Sequence, residues 1–240
     1  MSEWSMRRFW TEAGFVEEAD GFAIKLDGRS VRTPAKATLV VPTAGLAQAI
    51  AAEWDAQDEQ VDPNIMPYTR MANSAIDKVR TQKAEVADML AAYGDSDLLC
   101  YRADHPEELV TRQAAGWDPL LDWAETALGA RLEPRSGIMH APQDASALSA
   151  LSLKVHALDA FSLAAFHDLV TMTGSLVMGF AVSEKHQPAE TIWALSRIDE
   201  IWQQEQWGVD EEAAEVAARK ESEFRHAAAF LERCETQSSN

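Results

Sequence analysis

The sequence predicts an α+β fold in which a small N-terminal β-hairpin-containing α/β layer domain is followed by an all-helical C-terminal bundle. Three observations carry that prediction. In GFAIKLDGRSVRT, Phe22, Ile24 and Leu26 alternate with Ala23 and Lys25, the period of a half-buried strand. After ATLVVP, Leu46, Ile50 and Trp54 recur at helical spacing, so a helix follows the strands. From about Gly94 onward strand signals become few and long helical segments take over. The 240 residues can bury two modest cores, and the change of texture divides the chain into 1–92 and 93–240.

Each element has a local cause. Asp27-Gly28 supplies the residues that a two-residue type I′ hairpin favours. Closing the hairpin there pairs Leu26 with Arg29 and Ile24 with Val31, which puts the two β-branched residues on one face. ATLVVP makes a third strand ended by Pro42. Thr43 then caps a helix running to Trp54. DEQVDPNIMP reads as a loop, and YTRMANSAIDKV and KAEVADMLAAY read as helices divided near Arg80 to Lys83. DLLCYR suits a short strand or extended connector. Glu107 to Leu128 is expected as a helix broken or bent near Gly116 and Pro119. RSGIMHAPQDAS is a loop, and helices are expected over 145–158, 161–182, 189–207 and 210–234.

The formal net charge of −18 sets an acidic surface that repels phosphate backbones and anionic lipid heads. Nucleic-acid binding and membrane insertion are therefore not expected. The most apolar stretch, Leu163 to Val182, is long enough to span a bilayer, but His167 and Asp168 interrupt it and a buried core helix accounts for it. Cys100 and Cys234 are far apart and form no C-x-x-C pair, so both read as reduced thiols. The N-terminal stretch MSEWSMRRFWTEAGF lacks the apolar core of a signal peptide and is too acidic for a transit sequence. A cytoplasmic address is the expectation.

Motifs for chemistry are sparse. The sequence has no G-x-x-x-x-G-K-[ST], no G-x-G-x-x-G and no G-x-S-x-G. Of the six histidines no two stand at i, i+4, so no metal or cofactor is expected. His167-Asp168 is the one pair suggesting an enzyme, a small intracellular hydrolase. Adjacent helix residues point about 100° apart, however, so the two side chains are not expected to face each other. Lys25, Arg29, Arg32 and Lys36, with Arg7 and Arg8, form either a local positive patch for a partner or a solvated hairpin face.

The stretch TIWALSRIDEIWQQEQWG is the most unusual. On a single helical wheel Ile192, Leu195, Ile198 and Trp202 make one apolar arc, with Asp199 at its edge. Trp193, Glu200 and Trp207 make a second line outside it. Either those tryptophans dock on neighbouring helices, or the line is a protein-binding surface.

RRFW, GFAIKLDGRSVRTPAKATLVVPT, AAEWDAQ, MPYTRMANSAIDKV, DLLCYR, WDPLLDW and LSRIDEIWQQEQWG together resemble the Atp-twelve family, assembly chaperones of the F-type ATP synthase. The likeness runs in order over nearly the whole chain. It implies a non-enzymatic, ATP-independent chaperone that binds the unassembled α subunit of the catalytic head until the β subunit replaces it. It also implies a two-domain architecture, and it marks the acidic stretch after LSR as functional: Asp199 and Glu200, with Glu205 beyond. Together with Trp193 and Trp207 these are the expected partner-binding residues. Eukaryotic members carry a mitochondrial presequence, so a chain opening almost at RRFW is similar to a bacterial relative.

Overall fold

The computed structural model describes residues 7–137 and 139–235. Two compact units emerge. The first holds the described residues up to Lys83, with Asp159–Ala165 and the described residues from Ala229 on; the second holds Ala84–Leu158 and Phe166–Ala228. A division at 92/93 cuts the chain once, whereas these units each draw on separated segments.

In the first unit, β1 (Ala13–Glu18), β2 (Gly21–Leu26), β3 (Arg29–Ser30) and β4 (Val40–Val41) form one antiparallel sheet with β2 at its centre. The hairpin closes in the expected register, with Leu26 opposite Arg29 and Lys25 opposite Ser30. Asp27 and Gly28 both take positive φ, as a type I′ turn requires. The Val31 N–H donates to the Ile24 carbonyl at 2.9 Å, and both side chains are buried. β1 was not foreseen: Phe15 and Val16 are adjacent rather than alternating, and the strand exists because it pairs with β2 along its whole length.

Helix α1 (Ala44–Asp55) lies against this sheet through Leu46, Ala47, Ile50, Ala51 and Trp54. Thr43 caps it, accepting from the Leu46 N–H at 3.2 Å. Its hydroxyl also donates to the Arg233 carbonyl. Pro67 opens α2 (Pro67–Ser74), which continues as a wider π-type turn through Val79. The Glu53 carboxylate fixes its start by accepting from the Tyr68 and Thr69 N–H groups at 2.7 and 2.8 Å.

The second unit is largely helical: α3 (Lys83–Ala91), α4 (Glu107–Trp123), α5 (Ala145–Ala157), α6 (Ala160–Thr173), α7 (Leu176–Ser183), α8 (Ala189–Ser196), α9 (Ile198–Trp207) and α10 (Glu211–Cys234), with α3, α6 and α10 each contributing residues to both units. The short strands β5 (Tyr101–Arg102) and β6 (Arg135–Ser136) pair in parallel, so the loop expected from Arg135 is strand for its first two residues. Trp117, Phe166 and Phe224 are among its fully buried side chains.

Three helix expectations are corrected. Helix α4 runs unbroken through Gly116 and Pro119. A Cβ on Gly116 would lie 2.8 Å from Ile198 Cδ1 and 2.9 Å from Leu195 Cδ2, so this glycine makes room for a neighbour. The expected helix over 161–182 is two helices, because Gly174 takes φ +69° and Ser175 then caps α7 through the Met178 N–H at 3.0 Å. The expected helix over 189–207 is also two, divided at Arg197 (φ −111°, ψ 16°). Among the described residues no helix is long and apolar enough to cross a membrane.

Candidate functional site, the seam of helices α4 and α9

The division at Arg197 explains where the acidic residues fall. Asp199 and Glu200 occupy the first turn of α9, where free backbone N–H groups and the helix dipole favour negative charge. The Ile201 N–H donates to the Arg197 carbonyl at 2.9 Å as the new helix begins. Upstream, the Ser196 hydroxyl donates to the Trp193 carbonyl at 2.7 Å, one more bond at the close of α8.

Each carboxylate has a partner within the protein. Asp199 accepts from Gln113 Nε2 at 2.6 Å, and Gln113 is only 1% exposed. The other end of that amide accepts from the Ala103 N–H at 2.8 Å, so Gln113 is held on both sides. Glu200 pairs with Arg197 at 2.7 Å. Glu205 takes both guanidinium nitrogens of Arg112, at 2.7 and 3.0 Å, and that hydrogen bonding holds its carboxyl below the usual range. Trp117 adds a further tie by donating its indole N–H to the Leu195 carbonyl at 2.8 Å.

The aromatic residues divide by environment. Trp193 is 6% exposed, its ring 5.4 Å from Phe224 with the Arg197 guanidinium 5.7 Å above it. Trp207 is 79% exposed at the last position of α9, and Val209 beyond Gly208 is 66% exposed. Because the helix breaks at Arg197, Trp193 does not share a line with Glu200 and Trp207. The single-wheel reading of that second face is therefore corrected.

A model of the ATP12 chaperone protein family matches residues 7–125. The solved structure of Atp12 from Paracoccus denitrificans is 51% identical, with a TM-score of 0.95 over 97% of this chain and 100% of that one. The chain belongs to the ATP12 chaperone family. An Asp-to-Lys mutant of the same Paracoccus protein superimposes with the same TM-score of 0.95. A protein of Agrobacterium tumefaciens is 41% identical, with a TM-score of 0.91 over 95% of this chain and 86% of that one. The mitochondrial protein atp12 of Schizosaccharomyces pombe is 27% identical over 96% of this chain and 83% of its own length.

In this ATP12-family chain the structure brings Asp199 and Glu205 onto α4 through Gln113 and Arg112. Composition pointed to neither of those two partners. The spacing of Arg112 and Gln113, adjacent on one helix, was a signal only once the facing helix was known. His167 and Asp168 require a correction: His167 Nδ1 lies 2.9 Å from Asp168 Oδ1, so the side chains do meet. Their Cβ directions diverge as expected, but partial exposure leaves both side chains room to bend together. Among the described residues no group of three or more His, Cys, Asp or Glu is placed to hold a metal ion. Both thiols are free, and burial pushes Cys100 up to about 12 and Cys234 higher than an ordinary thiol.

Proposed function

We propose that this ATP12-family protein is an ATP-independent assembly chaperone that holds the unassembled α subunit of the F-type ATP synthase and shields its subunit interface until the β subunit displaces it. The observation that carries the reading is the exposed Trp207 at the end of a helix anchored from beneath by Asp199. Large exposed aromatic side chains ringed by charge are the usual energetic centres of protein interfaces. An orphan subunit exposes apolar and charged surface meant for its neighbours, a hazard until covered. A chaperone for it needs an anchor, a polar rim and no fuel.

The residues then divide their roles. Trp207 contacts the client, with Glu200 and Glu205 as the rim. Asp199 and Trp193 act from inside, by fixing α9 and α8. Glu200 and Glu205 are already paired with Arg197 and Arg112, so client cations engage them by exchange, which keeps the rim contacts weak and displaceable.

Co-expression with an affinity-tagged α subunit tests the proposal. The wild-type chain is expected to be retained and then released by added β subunit. Trp207→Ala is expected to abolish retention with an unchanged thermal unfolding profile. A well-folded wild-type chain that fails to retain α at micromolar concentration ends the proposal.

A further inference from the structure

Helix α4 holds both sides of the break at Arg197 with one face. Gln113 and Trp117 stand four residues apart, so their side chains lie one above the other on that helix. Trp117 donates to the Leu195 carbonyl near the end of α8, and Gln113 donates to Asp199 at the start of α9. Between them in sequence, Gly116 leaves the space that Leu195 and Ile198 fill. The bend from α8 into α9 is therefore set by α4 and not by a local signal.

Gln113 suits this place because one planar group carries both an acceptor and donors. Its Oε1 accepts from the Ala103 N–H at 2.8 Å, which fixes the flip of the amide and turns Nε2 toward Asp199 at 2.6 Å. Ala103 follows directly on β5, and the Arg102 guanidinium of that strand lies 5.2 Å from the Trp117 ring centroid. The amide is thus oriented from behind by backbone, and at 1% exposure Gln113 is out of a partner's reach. A glutamate in its place would set two carboxylates face to face.

We infer that Gln113 is a positioning residue for client binding: it seats α9, and with it Trp207, through a hydrogen bond whose other half is an acceptor on residue 199. The inference rests on the chaperone reading above and adds a condition to it. Asp199 serves α4 as an acceptor and does not serve the client as a negative charge. The client's cations meet Glu200 and Glu205 instead. An amide oxygen accepts from Nε2 as a carboxylate does, though less strongly, so asparagine can stand in for Asp199.

The test measures the affinity of the full chain for tagged α subunit at a temperature where every variant is folded. Deuterium uptake of the α9 amides is followed in the free chain. Gln113→Ala and Asp199→Ala are each expected to weaken capture about tenfold and to raise that uptake, while Asp199→Asn stays within about threefold of wild type. Gln113→Glu is expected to lose capture, and adding Asp199→Asn to restore it, because the asparagine amide then donates to the buried glutamate. If Asp199→Asn is as damaging as Asp199→Ala, the charge itself is what the client reads; the inference falls and the chaperone reading stands. If Gln113→Ala lowers the unfolding temperature yet binds α like the wild type, the bond is structural only and the inference falls again. A folded wild type that retains no α ends both together. The asparagine comparison keeps the test decisive if the Gln113 variants fold poorly.

Discussion

Asp97 is fully buried between the start of α7 and the short turn leading to β5, and its protonation should govern the stability of the second unit. Its carboxylate accepts from the Leu99 N–H at 3.0 Å and the Val177 N–H at 3.1 Å. Burial nevertheless dominates and raises its pKa from 3.8 to about 6, with hydrogen bonds from Ser175, Val177, Leu99 and Leu176 pulling the other way. A folded-state pKa above the unfolded one means the native chain binds the proton more tightly. The stabilisation is therefore full below pH 3.8 and is lost as pH rises through about 6. At 1.36 kcal/mol for each tenfold change, the full effect is about 3 kcal/mol, of which about 1 kcal/mol is regained on going from pH 7 to pH 5. Glu205 and Asp144, whose hydrogen bonds hold them below the usual range, lose their contributions only at more acid pH. Urea unfolding of the wild type and Asp97→Asn at pH 7 and pH 5 measures the difference. The wild type is expected to gain on the variant by about 1 kcal/mol as the pH is lowered. A pH-independent difference would refute the reasoning, as would a carbon-13 titration of the Asp97 carboxyl with its midpoint near 4.

Four further outcomes are expected. Asp199→Ala leaves the buried Gln113 amide without an acceptor and should cost about 1–3 kcal/mol, readable as a lower urea midpoint at constant slope. Trp207→Ala removes an exposed ring and should change stability by less than about 0.5 kcal/mol while abolishing capture of the α subunit in a pull-down. Gly116→Leu forces a side chain into the space held by Leu195 and Ile198 and should cost about 1–3 kcal/mol by thermal unfolding. Thr43→Ala removes the cap of α1 and should cost about 1 kcal/mol in the same assay.

The sequence was most legible where a local rule and a tertiary need agreed. Asp27-Gly28 closes the hairpin in the register that the apolar alternation demands, and Thr43 begins α1 where its capping chemistry predicts. It was least legible where a partner decides the conformation. β1 has a weak pattern of its own and is a strand because β2 offers a full row of hydrogen bonds. Gly174-Ser175 carried a stop and a start signal side by side, but the apolar run around them hid the boundary. At Arg197 no glycine or proline marks the break. The anchors that reset the chain there, Gln113 and Trp117, lie on another helix. The same long-range dependence hid the candidate site, since the wheel that joined Trp193 to Trp207 assumed continuity the backbone lacks. His167 and Asp168 show the converse, a side-chain contact that helix periodicity alone did not lead one to expect.

The brevity of α9 has its own consequence. It has ten residues, fewer than the roughly 12–15 that an isolated helix needs to persist in water. Its coiling is thus borrowed from α4, and the loan is concentrated at the N-terminal end, where Asp199 is clamped, while the turn bearing Trp207 is tethered chiefly by an exposed ion pair. Amide deuterium uptake should accordingly rise along α9 toward Trp207.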